Sequence, residues 1–233
     1  MTREDYQRDL MKSYEQISVL SQRNDGTVLW LRHRETGKDL VFRSFSYPVE
    51  AYGRLLEIRC ENLPEIYETL VLEDGQVVLE EFIAGITVAQ RMETEEYTYA
   101  SAKKILQGVC QALTVLHERQ IIHRDVKPEN VLCTNDGRVV LIDFNIARIE
   151  KETDHDTQIL GSLGYAAPEQ MGIAPSDART DIFAAGVLLN VLLTGEHPCN
   201  VLAKGRAGRI IRKCISTNPK GRYPSAKKLH GAL

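Results

Sequence analysis

Two short polar segments of this sequence hold residue types that could do chemistry. The first is His123-Arg124-Asp125-Val126-Lys127-Pro128-Glu129-Asn130. The second, Asp143-Phe144-Asn145, begins thirteen residues after Asn130. Among their side chains are the carboxylates of Asp125 and Asp143, the amide of Asn130 and the ammonium of Lys127. An Asp and an Asn presenting oxygens from neighbouring positions suit a hard cation such as Mg²⁺, which takes few protein ligands and fills its shell with phosphate oxygens or water. A second Asp beside a Lys suits orienting a hydroxyl and neutralising a transferred phosphoryl group. Any one of these residues alone could be a solvated charge in a polar turn. The whole set, with Pro128 between Lys127 and Asn130, is far less easily accidental.

The elements that must position them follow from the apolar pattern. Before residue 85, short apolar runs (Val28–Leu31, Leu40–Phe45, Leu70–Leu72 and Val77–Phe82) alternate with the turn signals Thr36-Gly37 and Asp74-Gly75. That pattern predicts strands joined by hairpins, interrupted by one helix over about Val49 to Arg59. After residue 100, Leu106, Val109, Cys110, Leu113 and Leu116 fall at helix-face spacing. A strand pair is expected around Asn135-Asp136-Gly137, then mostly helices. Strands first and helices second make an α+β chain in two lobes, 13–83 and 84–233, within a single domain.

Composition narrows the classes. The 233 residues are 43% hydrophobic and 26% charged, with a formal net charge of −3, enough to bury a core and too balanced for a general nucleic-acid or membrane-surface binder. The first residues are charged and lack the apolar stretch of a signal peptide, and the run Ile182–Leu193, interrupted by Asn190, is far short of the roughly 20 residues that span a bilayer. It reads as a buried core helix. Cys60, Cys110, Cys133, Cys199 and Cys214 are odd in number and widely scattered, which speaks against a disulfide framework or a zinc site. Reduced thiols in a cytoplasmic protein are expected.

The polar segments resemble the eukaryotic-type protein kinase family. HRDVKPEN resembles its catalytic loop, and Asp143-Phe144 the start of its metal-binding DFG. Ala167-Pro168-Glu169 is similar to the A-P-E that closes the activation segment, Asp181–Gly186 to the central helix of the C-lobe, and Arg222 to the late arginine that pairs with the Glu of A-P-E. The motifs stand in family order across residues 13–230. The resemblance implies a bilobal kinase fold using ATP and Mg²⁺. Asp125 would orient the hydroxyl of a protein substrate, and Lys127, which favours Ser/Thr over Tyr, would steady the γ-phosphate. Asn130 and Asp143 would hold Mg²⁺. Phe144 and His123 would pack in the hydrophobic spine. Arg124 implies a phosphate or substitute acid on segment 143–169, where Thr153, Thr157 and Ser162 are candidates and Thr157 is preferred. A regulatory protein partner would fit such a device.

The ATP side departs from the family. Its glycine-rich loop aligns with Ser21–Val28, where only Gly26 and Val28 are kept, and Ser21 and Arg23 replace glycines that let backbone approach phosphate. Arg43 stands where the family has its ion-pairing lysine, an exchange that is not conservative at a phosphate site. Its partner would be Glu50, with Glu57 as the alternative. Asn145 replaces the glycine of DFG, and Asn tolerates left-handed backbone better than most residues. Val28, Val41 and Leu132 would wall the adenine pocket, the backbone of Glu81 and Ile83 would meet the adenine edge, and Glu80 falls where an apolar residue is common. These departures motivate a second reading, a pseudokinase that binds or scaffolds without transfer. A small-molecule phosphotransferase is disfavoured by Lys127-Pro128 and A-P-E. The length of 233 residues is short for the family, and the trimming falls after Thr194–Pro198, where kinases insert a further helix and a docking loop, and in the activation segment.

Overall fold

Residues 1–150, 164–171 and 175–233 are described in this computed structural model of the protein. They form two compact units, Met1–Arg59 with Pro64–Ile83, and Cys60–Leu63 with Ala84–Leu233. Thr153, Thr157 and Ser162 lie outside the described residues.

In the first unit, α1 (Arg3–Leu10) precedes β1 (Tyr14–Arg23), β2 (Gly26–His33), β3 (Asp39–Phe45), α2 (Ala51–Leu55), β4 (Ile66–Leu72) and β5 (Gly75–Glu81). The strands make one antiparallel sheet in the order β1-β2-β3-β5-β4. Strand alternation sorts its residues by face. Leu29, Leu31, Leu40, Phe42, Val77 and Leu79 share one face and form a buried cluster, with Tyr6 and Leu10 of α1 packed against it. Tyr6 stacks on Phe42 at 6.2 Å between ring centroids, and its hydroxyl donates to Glu68 at 2.8 Å. No residue of α1 is buried, so no apolar stripe announces it; a capping box between Thr2 and Asp5 starts it.

The helix expected over Val49 to Arg59 is a single five-residue turn, Ala51–Leu55. Gly53 sits at its centre, costing roughly 1 kcal/mol relative to alanine, and Glu50 makes no side-chain cap. Nothing intrinsic to the segment favours extending it.

In the second unit, β6 (Gly85–Thr87) and α3 (Val88–Met92) lead to the long α4 (Tyr99–Glu118) and β7 (Ile121–Ile122). Then come β8 (Val131–Thr134), β9 (Val139–Leu141), β10 (Arg148–Ile149), α5 (Ala178–Thr194), α6 (Gly205–Cys214) and α7 (Ala226–Ala232). The small sheets run β6-β8-β9 and β10-β7. The periodic residues of α4 (Leu106, Val109, Cys110, Leu113 and Leu116) are fully buried. The apolar run of residues 182–193 is the buried middle of α5, and Gly186 lets α6 approach: a Cβ there would meet Cys214 Cβ at 2.3 Å.

Two connections depend on single polar side chains. Asn62, within the Cys60–Leu63 segment, donates to the Val139 carbonyl at 2.7 Å, while its own carbonyl accepts from the Leu141 N–H at 2.9 Å. Asn190, the residue that interrupts the apolar run, is buried. Its amide nitrogen donates to the carbonyls of Glu196 and Val201, both at 2.8 Å, and its oxygen accepts the Ala203 N–H at 2.9 Å. It thereby stitches down the ten residues that link α5 to α6. No helix among the described residues is long and apolar enough to cross a membrane. The cysteines are free thiols, with Cys110, Cys133 and Cys214 buried and Cys199 exposed.

Candidate active site

The loop between β7 and β8 is held from below by α5. Asp181, with 0% of its surface exposed, accepts the backbone N–H of His123 at 2.9 Å and that of Arg124 at 2.7 Å. His117 of α4 also donates to it, at 2.8 Å through Nε2. Burial alone would raise the carboxyl's pKa, but the His117 hydrogen bond and charge, with the backbone N–H, outweigh that and hold it below the usual range. Its anchoring matters because Arg124 sits at φ 69°, a left-handed conformation that costs a residue with a side chain roughly 1–2 kcal/mol. Gln170 adds a second hold, donating to the Arg124 carbonyl at 3.0 Å.

Beyond Arg124 the chain turns and brings three polar side chains together. Lys127 Nζ lies 2.8 Å from Asp125 Oδ2. The Asn130 amide nitrogen donates to the same Oδ2 and to the Asp125 carbonyl, both at 2.8 Å. A short 3₁₀ turn, Pro128–Asn130, closes this triangle, with the Asn130 N–H on the Lys127 carbonyl at 3.0 Å. The Asn130 carbonyl then accepts the Ile142 N–H at 2.9 Å, tying in the segment that carries Asp143. His123 accepts the Asp125 N–H at Nδ1 (3.3 Å), which places its proton on Nε2, where it donates to the Ile142 carbonyl at 3.1 Å. Its ring meets buried Phe144 edge-on at 5.3 Å.

The donor set fits a magnesium ion. Both side-chain hydrogen bonds of Asn130 leave from the amide nitrogen, so its side-chain oxygen is turned the other way, as a hard cation requires. Asp143 stands at φ 70°. The left-handed residue of this segment is therefore Asp143 and not Asn145, whose replacement of glycine needs no unusual backbone. The buried Asn145 Oδ1 has no hydrogen-bond partner among the described residues. Among those residues, no group of three or more His, Cys, Asp or Glu could hold a metal by itself.

Sheet register assembles the candidate nucleotide residues of the first unit. Ser21 pairs with Val28, Val28 with Arg43, and Val41 with Glu80, so all five share the face opposite the Phe42 cluster. The stretch aligned with the glycine-rich loop is a tight hairpin, with Asn24-Asp25 between β1 and β2. Gly26 is needed for strand packing, since a Cβ there would lie 2.4 Å from the Ser44 carbonyl oxygen. Arg43, only 5% exposed, donates from Nε to Glu80 Oε1 at 2.7 Å. Glu50 and Glu57 are exposed and flank α2, one on each side. The Glu81 N–H is spent on the Glu65 carbonyl at 2.8 Å, and Ile83 is buried. Leu132 lies on β8 of the second unit, opposite Val140 and Thr87.

A buried ion pair braces the second unit behind the loop. Arg222 grips Glu169 through both terminal nitrogens, at 2.6 and 2.8 Å, and also donates to the carbonyls of Arg179 and Ser216. Thr180 donates to the same carboxylate at 2.9 Å. Sequence reasoning anticipated Arg222 with Glu169. It missed His117 and Gln170, whose roles depend on contacts 64 and 46 residues away in the chain.

Comparison with known proteins gives a consistent answer. The family described as "Protein kinase domain" matches residues 49–230. The probable serine/threonine-protein kinase PknB of Corynebacterium glutamicum is 44% identical over 106 residues, 44% of this chain and 16% of that protein. The serine/threonine-protein kinase PAK 4 of Mus musculus is 30% identical over 178 residues, 76% of this chain and 30% of that protein. The chain thus spans well under half the length of these relatives. Among solved structures, the kinase domain of Mycobacterium tuberculosis PknI has the same fold, with a TM-score of 0.72, 94% of each chain covered and 20% identity.

Proposed function

From the premise that the chain belongs to the protein kinase domain family, we propose that it transfers the γ-phosphate of ATP to a serine or threonine hydroxyl of a protein. The observation that carries this reading is the Asp125–Lys127–Asn130 triangle, with contacts of 2.8 Å. Asp125, fixed by two partners on one oxygen, orients the substrate hydroxyl and takes its proton. The hydroxyl oxygen forms the new bond to phosphorus as the bond to the ADP oxygen breaks, and Lys127 offsets the charge on the transferred group. Asn130 Oδ1 and the Asp143 carboxylate would hold Mg²⁺, which when bound neutralises phosphate charge. The first unit contributes the face bearing Ser21, Gly26, Val28, Val41 and Arg43. Adenine recognition at Glu81 falls to its carbonyl, since its N–H is already used, with Ile83 two residues further along the same unit.

A second reading, a pseudokinase, is favoured by the tight Asn24-Asp25 hairpin, which lacks the glycines that bring backbone to phosphate. Purified protein incubated with γ-labelled ATP, Mg²⁺ or Mn²⁺ and a basic protein substrate separates the two. Label on the substrate that disappears in Asp125→Asn is the expected result. No label with either metal would leave the pseudokinase.

A further inference from the structure

Two departures from the family pattern, the arginine at residue 43 and the carboxylate at residue 80, meet in a single contact. Arg43 Nε and Glu80 Oε1 are 2.7 Å apart, and the two side chains are 7% and 3% exposed. In the sheet, Arg43 pairs with Val78 and Val41 with Glu80, so the partners sit diagonally, two residues apart on one face, within reach for long side chains.

We propose that Glu80 is the positioning residue of Arg43: a cross-strand carboxylate that holds the β3 cation for nucleotide phosphate, in the role the sequence assigns to Glu50 or Glu57. The proposal rests on reading this face as the nucleotide half of the site. Three features point to it. The contact leaves from Nε, a donor on the flank of the side chain; arginine has one there and lysine does not, which suits a partner lying alongside in the sheet. A buried cation needs a compensating charge of fixed geometry, and Glu80 supplies it from the strand adjacent to β3. The alternative carboxylates lie on exposed flanks of a five-residue helix with glycine at its centre, whereas Glu80 shares Arg43's own hydrogen-bonded sheet. Arginine at 43 and glutamate at 80 thus form a matched pair within one sheet.

The test is the affinity of the whole chain for mant-ATP with Mg²⁺, measured by fluorescence, with a thermal melt on each variant. Glu80→Gln keeps the shape and removes the charge, and is expected to weaken binding about tenfold, with Glu80→Asp recovering part of the loss. Glu50→Gln and Glu57→Gln, on exposed positions, are expected to change it less than twofold. The inference is overturned if Glu80→Gln lowers the melting temperature but leaves the affinity within twofold, which is the mark of a purely structural pair. It is equally overturned if binding tightens, or if either exposed-glutamate variant loses tenfold. The last outcome can be read even if Glu80→Gln does not fold. A wild type that binds no mant-ATP would instead sink the nucleotide reading itself, and the inference with it.

Discussion

Replacing Asp181 by asparagine tests how the catalytic loop is held. Three donors converge on its two oxygens: the Arg124 N–H at 2.7 Å on one, and the His123 N–H at 2.9 Å and His117 Nε2 at 2.8 Å on the other. Asparagine has one oxygen. Whichever way its amide is turned, its NH₂ group faces a backbone N–H that then has no acceptor, in a site with no solvent exposure. A buried unsatisfied donor costs about 1–3 kcal/mol, and the remaining bonds lose the strengthening of a charged acceptor, so the total is about 2–5 kcal/mol. At roughly 2–4 °C per kcal/mol for a chain of this size, a loss of about 3 kcal/mol lowers the melting temperature by about 6–12 °C at pH 7. The pH dependence has a definite sign. Asp181 has a depressed pKa, so its contribution is complete above the unfolded carboxyl value near pH 4 and is lost as pH falls through the folded value. The gap between wild type and variant should therefore narrow as pH falls below about 4. Calorimetric melts across that range provide the measurement. A shift under about 2 °C at pH 7, or a gap that does not narrow in acid, would refute the clamp.

Further outcomes follow from other buried polar groups. Arg222→Met leaves the Glu169 carboxylate buried without its bidentate partner and should cost about 3–5 kcal/mol in urea unfolding, while Glu169→Leu with Arg222→Met should regain at least half of that. Asn190→Ala removes the bonds that fasten residues 196–203 and should cost about 2–4 kcal/mol, with faster proteolytic cleavage between α5 and α6 as the local readout. In thiol titration with an aromatic disulfide, exposed Cys199 should react first, and Cys199→Ser should remove the fast phase. Cys214, whose thiol burial pushes up to about 12, should stay silent until unfolding.

Features carried by local spacing were legible in the sequence. The periodic residues of α4 lie buried along one helix, and the turns at Thr36-Gly37, Asp74-Gly75 and Asn135–Gly137 separate β2 from β3, β4 from β5, and β8 from β9. The pairing of Arg222 with Glu169 was foreseen because ordered motifs carried the family resemblance. Helix α1 was not, since none of its residues is fully buried, and the helix after residue 49 was overestimated because an apolar pattern does not discount Gly53 or a missing cap.

By itself the sequence determined that strands come first and helices second, the two polar segments with the residue types for phosphoryl transfer, and the loss of two of the usual three glycines before Val28. Each depends on residues near one another in the chain. Only the tertiary structure decided which carboxylate meets Arg43, why Arg124 can stand at φ 69°, which way the Asn130 amide faces, and that Cys60–Leu63 belongs with β9 rather than with its neighbours in sequence. The Asn130 amide is set by Asp125, five residues away; the other three share one physical reason. A buried charge or strained backbone is tolerated only when a specific partner reaches it, and here those partners come from elsewhere: Glu80 lies 37 residues from Arg43, Asp181 lies 57 from Arg124, and Asn62 lies 77 from Val139.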